Sequence, residues 1–215
     1  MVFRSLFKRK KTANVAEIAG LTIGRSVTID PIELKLLGAD TLLDPPLTGF
    51  MICAQGHCDL GEQSHLHRFY TDDDRYFLQI QGGDGVEDSR VDEIMLWYAY
   101  DVQYPSRDTD WSDLKTRQRQ SRFDLQTDAG NVAFERAWFS HSDAGEDPMT
   151  YWEDVRESRD CAAPARIFQT AMLFGRGLRD GREEMLLVNL EEPEDGERAV
   201  SFLIGRVLPR HALIT

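Results

Sequence analysis

Apolar and polar residues alternate with a period of two along most of the chain after residue 20. This period is typical of β-strands that bury one face. Residues 91–104 fit a helical turn or loop that leads into a strand, and residues 149–156 fit either element. For residues 167–174, a helix that starts at Pro164 is the alternative to a strand. Runs bounded by Gly, Pro and Asp turns predict strands at residues 21–23, 27–29, 32–37, 48–54, 65–70, 75–80, 122–127, 132–140, 167–174, 185–190 and 199–208.

Two predicted hairpins give the clearest β signals. Two aromatic-rich runs, residues 65–70 and 75–80, flank a short acidic turn. Near the C-terminus, residues 185–190 and 199–208 flank an acidic loop that contains a proline and a glycine. Alternating runs on both sides of a turn are typical of antiparallel strand pairs.

Helical signals are few. Asp110 is suited to cap a short helix that ends near Gln118, with Trp111 and Leu114 on its buried side. Strands that alternate with long helices are absent from the pattern, which disfavours a doubly wound fold. We therefore predict an α+β fold that is mainly antiparallel β, with about ten short strands in one or two sheets and a few short helices.

The chain divides by composition into two parts. Residues 1–18 form a basic, amphipathic leader, and residues 19–215 form a single mainly-β domain. The weakest point within that domain is residues 105–110, where a proline and several polar residues interrupt the pattern. We predict one folded domain preceded by a separate segment.

The 215 residues carry a net charge of −12, and this charge is unevenly placed. Five cations lie in the first eleven residues, so the remaining 20 basic residues face 37 acidic ones, which gives −17. A body this acidic repels phosphate backbones. We therefore exclude nucleic acid as the main partner.

The sequence carries no transmembrane or export signal. The longest purely apolar run, Ile94–Tyr100, has seven residues, far below the ~20 that a membrane-spanning helix needs. No long apolar segment follows the basic start, as a secretory signal would require. An odd number of cysteines without an export signal indicates free thiols, and the three are Cys53, Cys58 and Cys161. We expect a cytoplasmic protein.

The leader combines an apolar face with a cluster of cations. Phe3 and Phe7 share one face at helical spacing, and the cations are Arg4, Lys8, Arg9, Lys10 and Lys11. Such a segment binds weakly to an anionic membrane surface, at about 1 kcal/mol per cation. A solvated N-terminus and a segment docked on the acidic body are the alternatives. We expect these residues to contact a membrane or a protein partner.

Three of the five histidines, His57, His65 and His67, fall within eleven residues. In a strand, His65 and His67 point to the same side. Two imidazoles so placed can bind one divalent transition metal, and His57 could complete an open site. The spacing Gly61-x3-His65-x-His67-x4-Asp72 resembles the first cupin motif, with a shorter first interval and Asp in place of Glu. A histidine-containing hairpin without a metal is the alternative.

No other motif points to catalysis. The sequence lacks the G-x-S-x-G elbow of serine hydrolases, the G-x4-G-K-[ST] phosphate loop and a complete dinucleotide glycine pattern. The run Asp72–Asp74 lacks the alternating ligands of a calcium loop and fits a turn instead.

Four short segments carry a family resemblance: Ile23–Arg25, Asp59–Glu62, His67–Asp74 and Trp152–Asp154. They resemble the YjfK-like family of uncharacterised bacterial proteins, over nearly the whole chain after the leader. That family has no assigned activity, so the resemblance implies no catalytic residue. It implies an accessory role at the inner membrane surface, because such proteins look like members of gene sets that include phage-shock-type membrane coat proteins.

We therefore expect a non-catalytic, cytosolic binding or accessory protein without a cofactor, which contacts a membrane or a membrane-stress partner through its leader. The alternative is a metal-dependent enzyme on a cupin-like β scaffold, with His65 and His67 as ligands. A third hypothesis is an interaction module that exposes the aromatic residues of 97–104 as an apolar patch.

Overall fold

A computed structural model describes residues 15–38, 40–47, 49–82, 91–139, 142–160 and 163–215. These residues form two α-helices, α1 (Pro31–Lys35) and α2 (Asp108–Gln118). They also form twelve strands: β1 (Ser26–Ile29), β2 (Phe50–Asp59), β3 (His65–Thr71), β4 (Tyr76–Gln81), β5 (Glu93–Gln103), β6 (Arg122–Thr127), β7 (Gly130–Arg136), β8 (Met149–Arg156), β9 (Ala165–Gly177), β10 (Glu183–Pro193), β11 (Ala199–Val207) and β12 (Leu213–Ile214).

Eight of these strands close into a barrel. The hydrogen-bonded order is β2-β3-β4-β5-β11-β10-β9-β8, and β8 pairs back onto β2. All of these pairs are antiparallel. The register shifts once between β2 and β3 and once between β5 and β11. Such irregularities add the local bend that a closed sheet needs.

The predicted α+β class, with about ten short strands in one or two sheets, is wrong. The described residues form a closed eight-stranded barrel with four further strands and two helices. Closure depends on β8, which reaches β2 across about a hundred residues of intervening chain. No local pattern encodes such a pairing, and so the period of two predicts strands without showing that the sheet is closed. The predicted antiparallel β content and the two predicted hairpins are confirmed.

The four other strands extend the sheet beyond the barrel at two places. Strands β12 and β1 continue the sheet from β2, and β7 and β6 continue it from β9. Helix α2 packs over β9 and β10, because Gln118 donates hydrogen bonds to the carbonyls of Thr170 (3.0 Å) and Val188 (2.7 Å). Within the described ranges, no helix is both long and apolar enough to cross a membrane.

Two apolar cores lie on opposite sides of the barrel wall. Side chains alternate along a strand, so β10 sends Leu186 and Val188 to the outer core and Leu187 to the inner one. The outer core is the larger and includes Trp111 and Leu114 of α2. The inner core fills part of the barrel interior, which we call the lumen.

Helix α1 replaces a predicted strand at residues 32–37. The Asp30 carboxylate accepts a hydrogen bond from the backbone N–H of Ile32 (2.8 Å), and Pro31 occupies the first turn. Both features stabilise a helix N-terminus, and they outweigh the alternation of apolar residues. In residues 91–104 the predicted loop that leads into a strand is confirmed, since residues 91–92 precede the long strand β5.

Trp97 lies inside the lumen and is 1 % exposed. A Cβ added to Gly205, its cross-strand partner, would lie 2.4 Å from the indole Cζ3. The absence of a side chain at Gly205 therefore makes room for the ring. Trp97 is thus not part of an exposed aromatic patch, although Tyr104 further along is 66 % exposed.

Candidate functional site

A buried ion pair lies in the middle of the lumen. Arg68 on β3 donates from Nη1 to Oε2 of Glu153 on β8 over 2.6 Å, and both side chains are at most 2 % exposed. Arg68 faces inward because it alternates with the outward-facing Phe69. Glu153 fits because β2 carries glycine at position 56, where a Cβ would lie 1.8 Å from Oε1 of Glu153. Gly56 therefore clears the space that the carboxylate occupies.

The guanidinium of Arg68 has two further acceptors. Its Nε donates to Oε1 of Gln79 (3.2 Å), and its Nη2 donates to the hydroxyl of Tyr151 (2.7 Å). Its Cζ also lies 5.7 Å from the ring centroids of Phe77 and Tyr151, within the range of a cation–π contact. The cation is thus held from several sides.

The carboxylate of Glu153 accepts from two more donors. The hydroxyl of Tyr70 donates to Oε1 (2.7 Å), and Nε2 of Gln169 donates to Oε2 (2.8 Å). The chain of hydrogen bonds continues, because Nδ2 of Asn189 donates to Oε1 of Gln169 (2.6 Å). Inward-facing side chains of β3, β8, β9 and β10 therefore form one polar network.

Burial and the ion pair set the protonation of this network. Burial alone would lower the pKa of Arg68, but the Glu153 carboxylate raises it well above its usual value. Burial, and then the charge of Glu153, raises the pKa of Tyr70. Burial also raises the pKa of Tyr151. The phenols are therefore neutral, and Tyr70 is a hydrogen-bond donor to the carboxylate.

A second carboxyl group, Glu191 on β10, lies near this network. Its Oε1 accepts from the hydroxyl of Ser201 (2.7 Å) and from Nδ2 of Asn189 (3.1 Å). Burial raises the pKa of Glu191, despite these two hydrogen bonds. The lumen thus holds a second carboxyl group, which is more exposed than the ion pair.

Two cavities flank the ion pair, and Arg68 lines both. The first, of about 120 Å³, is mostly apolar, and we call it the indole cavity because Trp97 lines it together with Leu66, Gln79, Met95 and Leu187. The second, of about 200 Å³, is lined by a larger share of polar side chains, and we call it the Glu191 cavity because Glu191 lines it together with Tyr70, Phe77, Asn189 and Ser201.

Each cavity has a buried polar atom in its wall without a hydrogen-bond partner among the described residues. In the indole cavity it belongs to Trp97, whose Nε1 is a donor, and in the Glu191 cavity to Asn189, whose Oδ1 is an acceptor. Both residues are 1 % exposed. Leaving such an atom unsatisfied costs about 1–3 kcal/mol. A bound molecule that forms a hydrogen bond with either atom would remove this cost.

The three histidines meet on the outer face of the barrel wall. His57 and His67 are cross-strand neighbours whose ring centroids lie 5.1 Å apart, and Nε2 of His57 is 3.1 Å from Nδ1 of His65. Burial, and then the charge of His65, lowers the pKa of His57. Among the described residues, no group of three or more His, Cys, Asp or Glu side chains is arranged to hold a metal ion. The metal site stays a prediction from sequence.

Several other predicted residues lie outside the described ranges. They are Cys161 and the leader residues Phe3, Arg4, Phe7, Lys8, Arg9, Lys10 and Lys11. The two described cysteines are both free thiols, with Cys53 exposed and Cys58 buried.

The sequence did not reveal the polar network of the lumen. Arg68 and Glu153 are 85 residues apart, and each appears in the sequence as one more charged residue within an alternating strand. One signal was present, since both lie in segments that carry the family resemblance, His67–Asp74 and Trp152–Asp154. For the histidines, in contrast, the spacing predicted that His65 and His67 point to the same side of a strand.

Comparison with known proteins gives a family without an activity. The model of a family described as "Protein of unknown function (DUF2491)" matches residues 2–213. A protein of Escherichia coli K12, "Uncharacterized protein YjfK", is 27 % identical over 210 residues, which cover 96 % of this chain and 92 % of that protein. No solved structure matches the chain significantly.

The raised pKa of Glu191 predicts a dependence of stability on pH. Between the unfolded value, about 4.5, and the higher folded value, the folded state binds more protons than the unfolded state. The stability that this group contributes is therefore present at low pH and is lost as the pH rises through the folded pKa. Glu191→Gln, which cannot ionise, should gain stability relative to the wild type as the pH rises from 4.5 to 7.

Urea unfolding at several pH values measures this difference. Glu197→Gln is the matched control, because Glu197 is exposed in the loop between β10 and β11, and its difference from the wild type should change little. A constant difference between Glu191→Gln and the wild type from pH 4.5 to 7 would contradict the prediction.

Proposed function

The chain belongs to the DUF2491 family of proteins of unknown function, and we propose that it is a non-catalytic binding protein that holds a small molecule in its barrel lumen. One observation carries the proposal. Two cavities flank a buried ion pair, and their walls contain a donor on Trp97 and an acceptor on Asn189 without partners among the described residues.

The size of the barrel supports this proposal. An eight-stranded barrel has room either for packed side chains or for one small ligand. Here side chains fill only part of the lumen, since cavities of about 120 and 200 Å³ remain. An apolar cavity of about 150 Å³ is large enough for benzene. Ligand sites are usually such cavities, mostly apolar with a few polar groups that orient the ligand.

The non-catalytic part of the proposal rests on how the polar groups are used. Arg68 and Tyr70 both donate hydrogen bonds to Glu153. The charges of the ion pair and the proton of the Tyr70 hydroxyl therefore already have partners. The sequence also lacks a nucleophile elbow and a phosphate loop. Groups arranged in this way can orient a molecule by hydrogen bonds without transferring a proton to it.

Narrowing the lumen tests the proposal. Ala99 lines the Glu191 cavity, so Ala99→Leu should exclude a bound molecule, whereas Ala165→Leu at an exposed strand position should not. Native mass spectrometry of protein purified from cells should show a small-molecule adduct on the wild type and on Ala165→Leu, and at least tenfold less on Ala99→Leu. Equal adduct on all three proteins, or no adduct on the wild type, would contradict the proposal.

We also propose that the basic leader attaches the protein to an anionic membrane surface or to a protein partner. The support is the sequence, in which five cations and an apolar face occupy the first eleven residues. Four of these cations, Lys8 to Lys11, are consecutive. At about 1 kcal/mol per cation near a membrane, four of them make a difference that co-sedimentation can measure.

Co-sedimentation with vesicles of phosphatidylglycerol and phosphatidylcholine tests the attachment. A full-length variant with Gln at residues 8–11 should bind at least tenfold more weakly than the wild type. A control with the same net charge, in which Gln replaces four exposed arginines of the domain, should bind as the wild type does; these are Arg25, Arg107, Arg122 and Arg179. Equal binding by the leader variant and the wild type would rule out membrane attachment through these residues.

A further inference from the structure

The hydrogen bonds of the lumen have a direction. An ionised carboxylate only accepts, so the group of Gln169 that meets Glu153 must be the amide nitrogen. The oxygen of Gln169 therefore faces Asn189 and accepts from its Nδ2. The same Nδ2 also donates to Glu191. Both contacts fix the orientation of the Asn189 amide, and its Oδ1 ends the series of hydrogen bonds.

Oδ1 of Asn189 is a hydrogen-bond acceptor on a residue that lines the Glu191 cavity. Asn189 is 1 % exposed, and its Oδ1 has no donor among the described residues. Glu191 offers a second acceptor, because the two hydrogen bonds to it from described residues both reach Oε1 and leave Oε2. A ligand of this cavity thus meets two oxygens that can accept hydrogen bonds, of which Oδ1 of Asn189 is buried and has no donor among the described residues.

The charges in the lumen favour a cation at this place. The charge of Arg68 is compensated by Glu153 at 2.6 Å, and Glu191 forms no ion pair with the residues that the structure describes. Burial is the largest cause of the raised pKa of Glu191, and the hydrogen bonds from Ser201 and Asn189 and the charge of Arg68 offset it only in part. Asp74 adds a further carboxylate to the lining of the cavity.

Aromatic rings line the same cavity. Tyr70 and Phe77 lie with their ring centroids 5.4 Å apart, and Tyr76 is a third aromatic lining residue. Ring faces attract cations, and the attraction grows where water is excluded. A volume of about 200 Å³ limits the ligand to a few heavy atoms beyond the size of benzene.

We infer that the Glu191 cavity binds a small primary ammonium ligand, whose N–H groups donate to Asn189 and Glu191 and whose short apolar part packs against Tyr70 and Phe77. An ammonium group has three donors and no acceptor, which matches the two open oxygens. An anion would place a further negative charge beside Glu191, and a neutral alcohol would leave that carboxylate without a counterion. The inference rests on the proposed function, since it names the class of molecule that the lumen holds.

Titration calorimetry at pH 7 with three probes of similar size tests the inference: n-butylammonium, 1-butanol and butyrate. The wild type should bind n-butylammonium at least tenfold more tightly than the other two. Glu191→Gln and Asn189→Leu should each weaken binding of n-butylammonium at least tenfold. Glu197→Gln, which removes an exposed carboxylate near the cavity strands, should bind as the wild type does, and thermal unfolding confirms that each variant is folded.

These experiments distinguish a failure of the ammonium inference from a failure of the proposed binding in the lumen. If 1-butanol or butyrate binds as tightly as n-butylammonium, and Ala99→Leu abolishes this binding, the lumen is a ligand site but the ammonium class is wrong. If n-butylammonium binds Glu191→Gln and the wild type equally, the placement of the cation is wrong. If none of the probes binds the wild type, the inference is overturned, and the mass of the purified protein decides separately whether the lumen holds another molecule.

Discussion

The structure depends on one demanding interaction, the burial of the Arg68–Glu153 ion pair inside a closed barrel. Removing such charges from water costs several kcal/mol per ion, and attraction between them offsets this only with good geometry and additional hydrogen bonds. The surrounding residues meet this requirement. Tyr70, Tyr151 and Gln169 supply the further hydrogen bonds, and glycine at position 56 leaves the space that the carboxylate needs.

The same ion pair determines the orientation of other polar side chains in the lumen. Because Glu153 only accepts hydrogen bonds, it orients Gln169, which in turn orients Asn189. At the ion pair, Arg68 and Glu153 are thus hydrogen-bonded to each other and to their neighbours. At the Glu191 cavity, Oδ1 of Asn189 has no partner among the described residues. The apolar residues outside the wall form the larger core, so much of the stabilising burial lies outside the barrel. The lumen holds the smaller apolar core and has room beside it for polar groups and cavities.

Sequence alone predicted the local elements better than their assembly. The β3–β4 and β10–β11 hairpins follow from alternation around acidic turns, and α2 follows from the spacing of Trp111 and Leu114. The predicted cap, Asp110, is wrong, because α2 begins at Asp108 and its N-cap is Arg107, which makes no side-chain capping hydrogen bond. Strand closure was missed because β8 and β2 pair over a long separation. Helix α1 was missed because the capping by Asp30 is stronger than a short alternation. The polar network of the lumen was missed because residues alternate along β3 in the same way whether Arg68 faces the lumen or the solvent.

A double-mutant cycle on Arg68→Met and Glu153→Leu, measured by urea unfolding, tests the dependence on the ion pair most directly. Each single change should lose about 3–5 kcal/mol, because it leaves an uncompensated charge in the lumen. The double variant should be at least ~2 kcal/mol more stable than the sum of the two losses implies. The exposed pair of Arg25 and Glu17, 3.1 Å apart, serves as the reference and should show a coupling below ~1 kcal/mol. Additive losses at Arg68 and Glu153 would contradict the account, since the two charges would then not depend on each other.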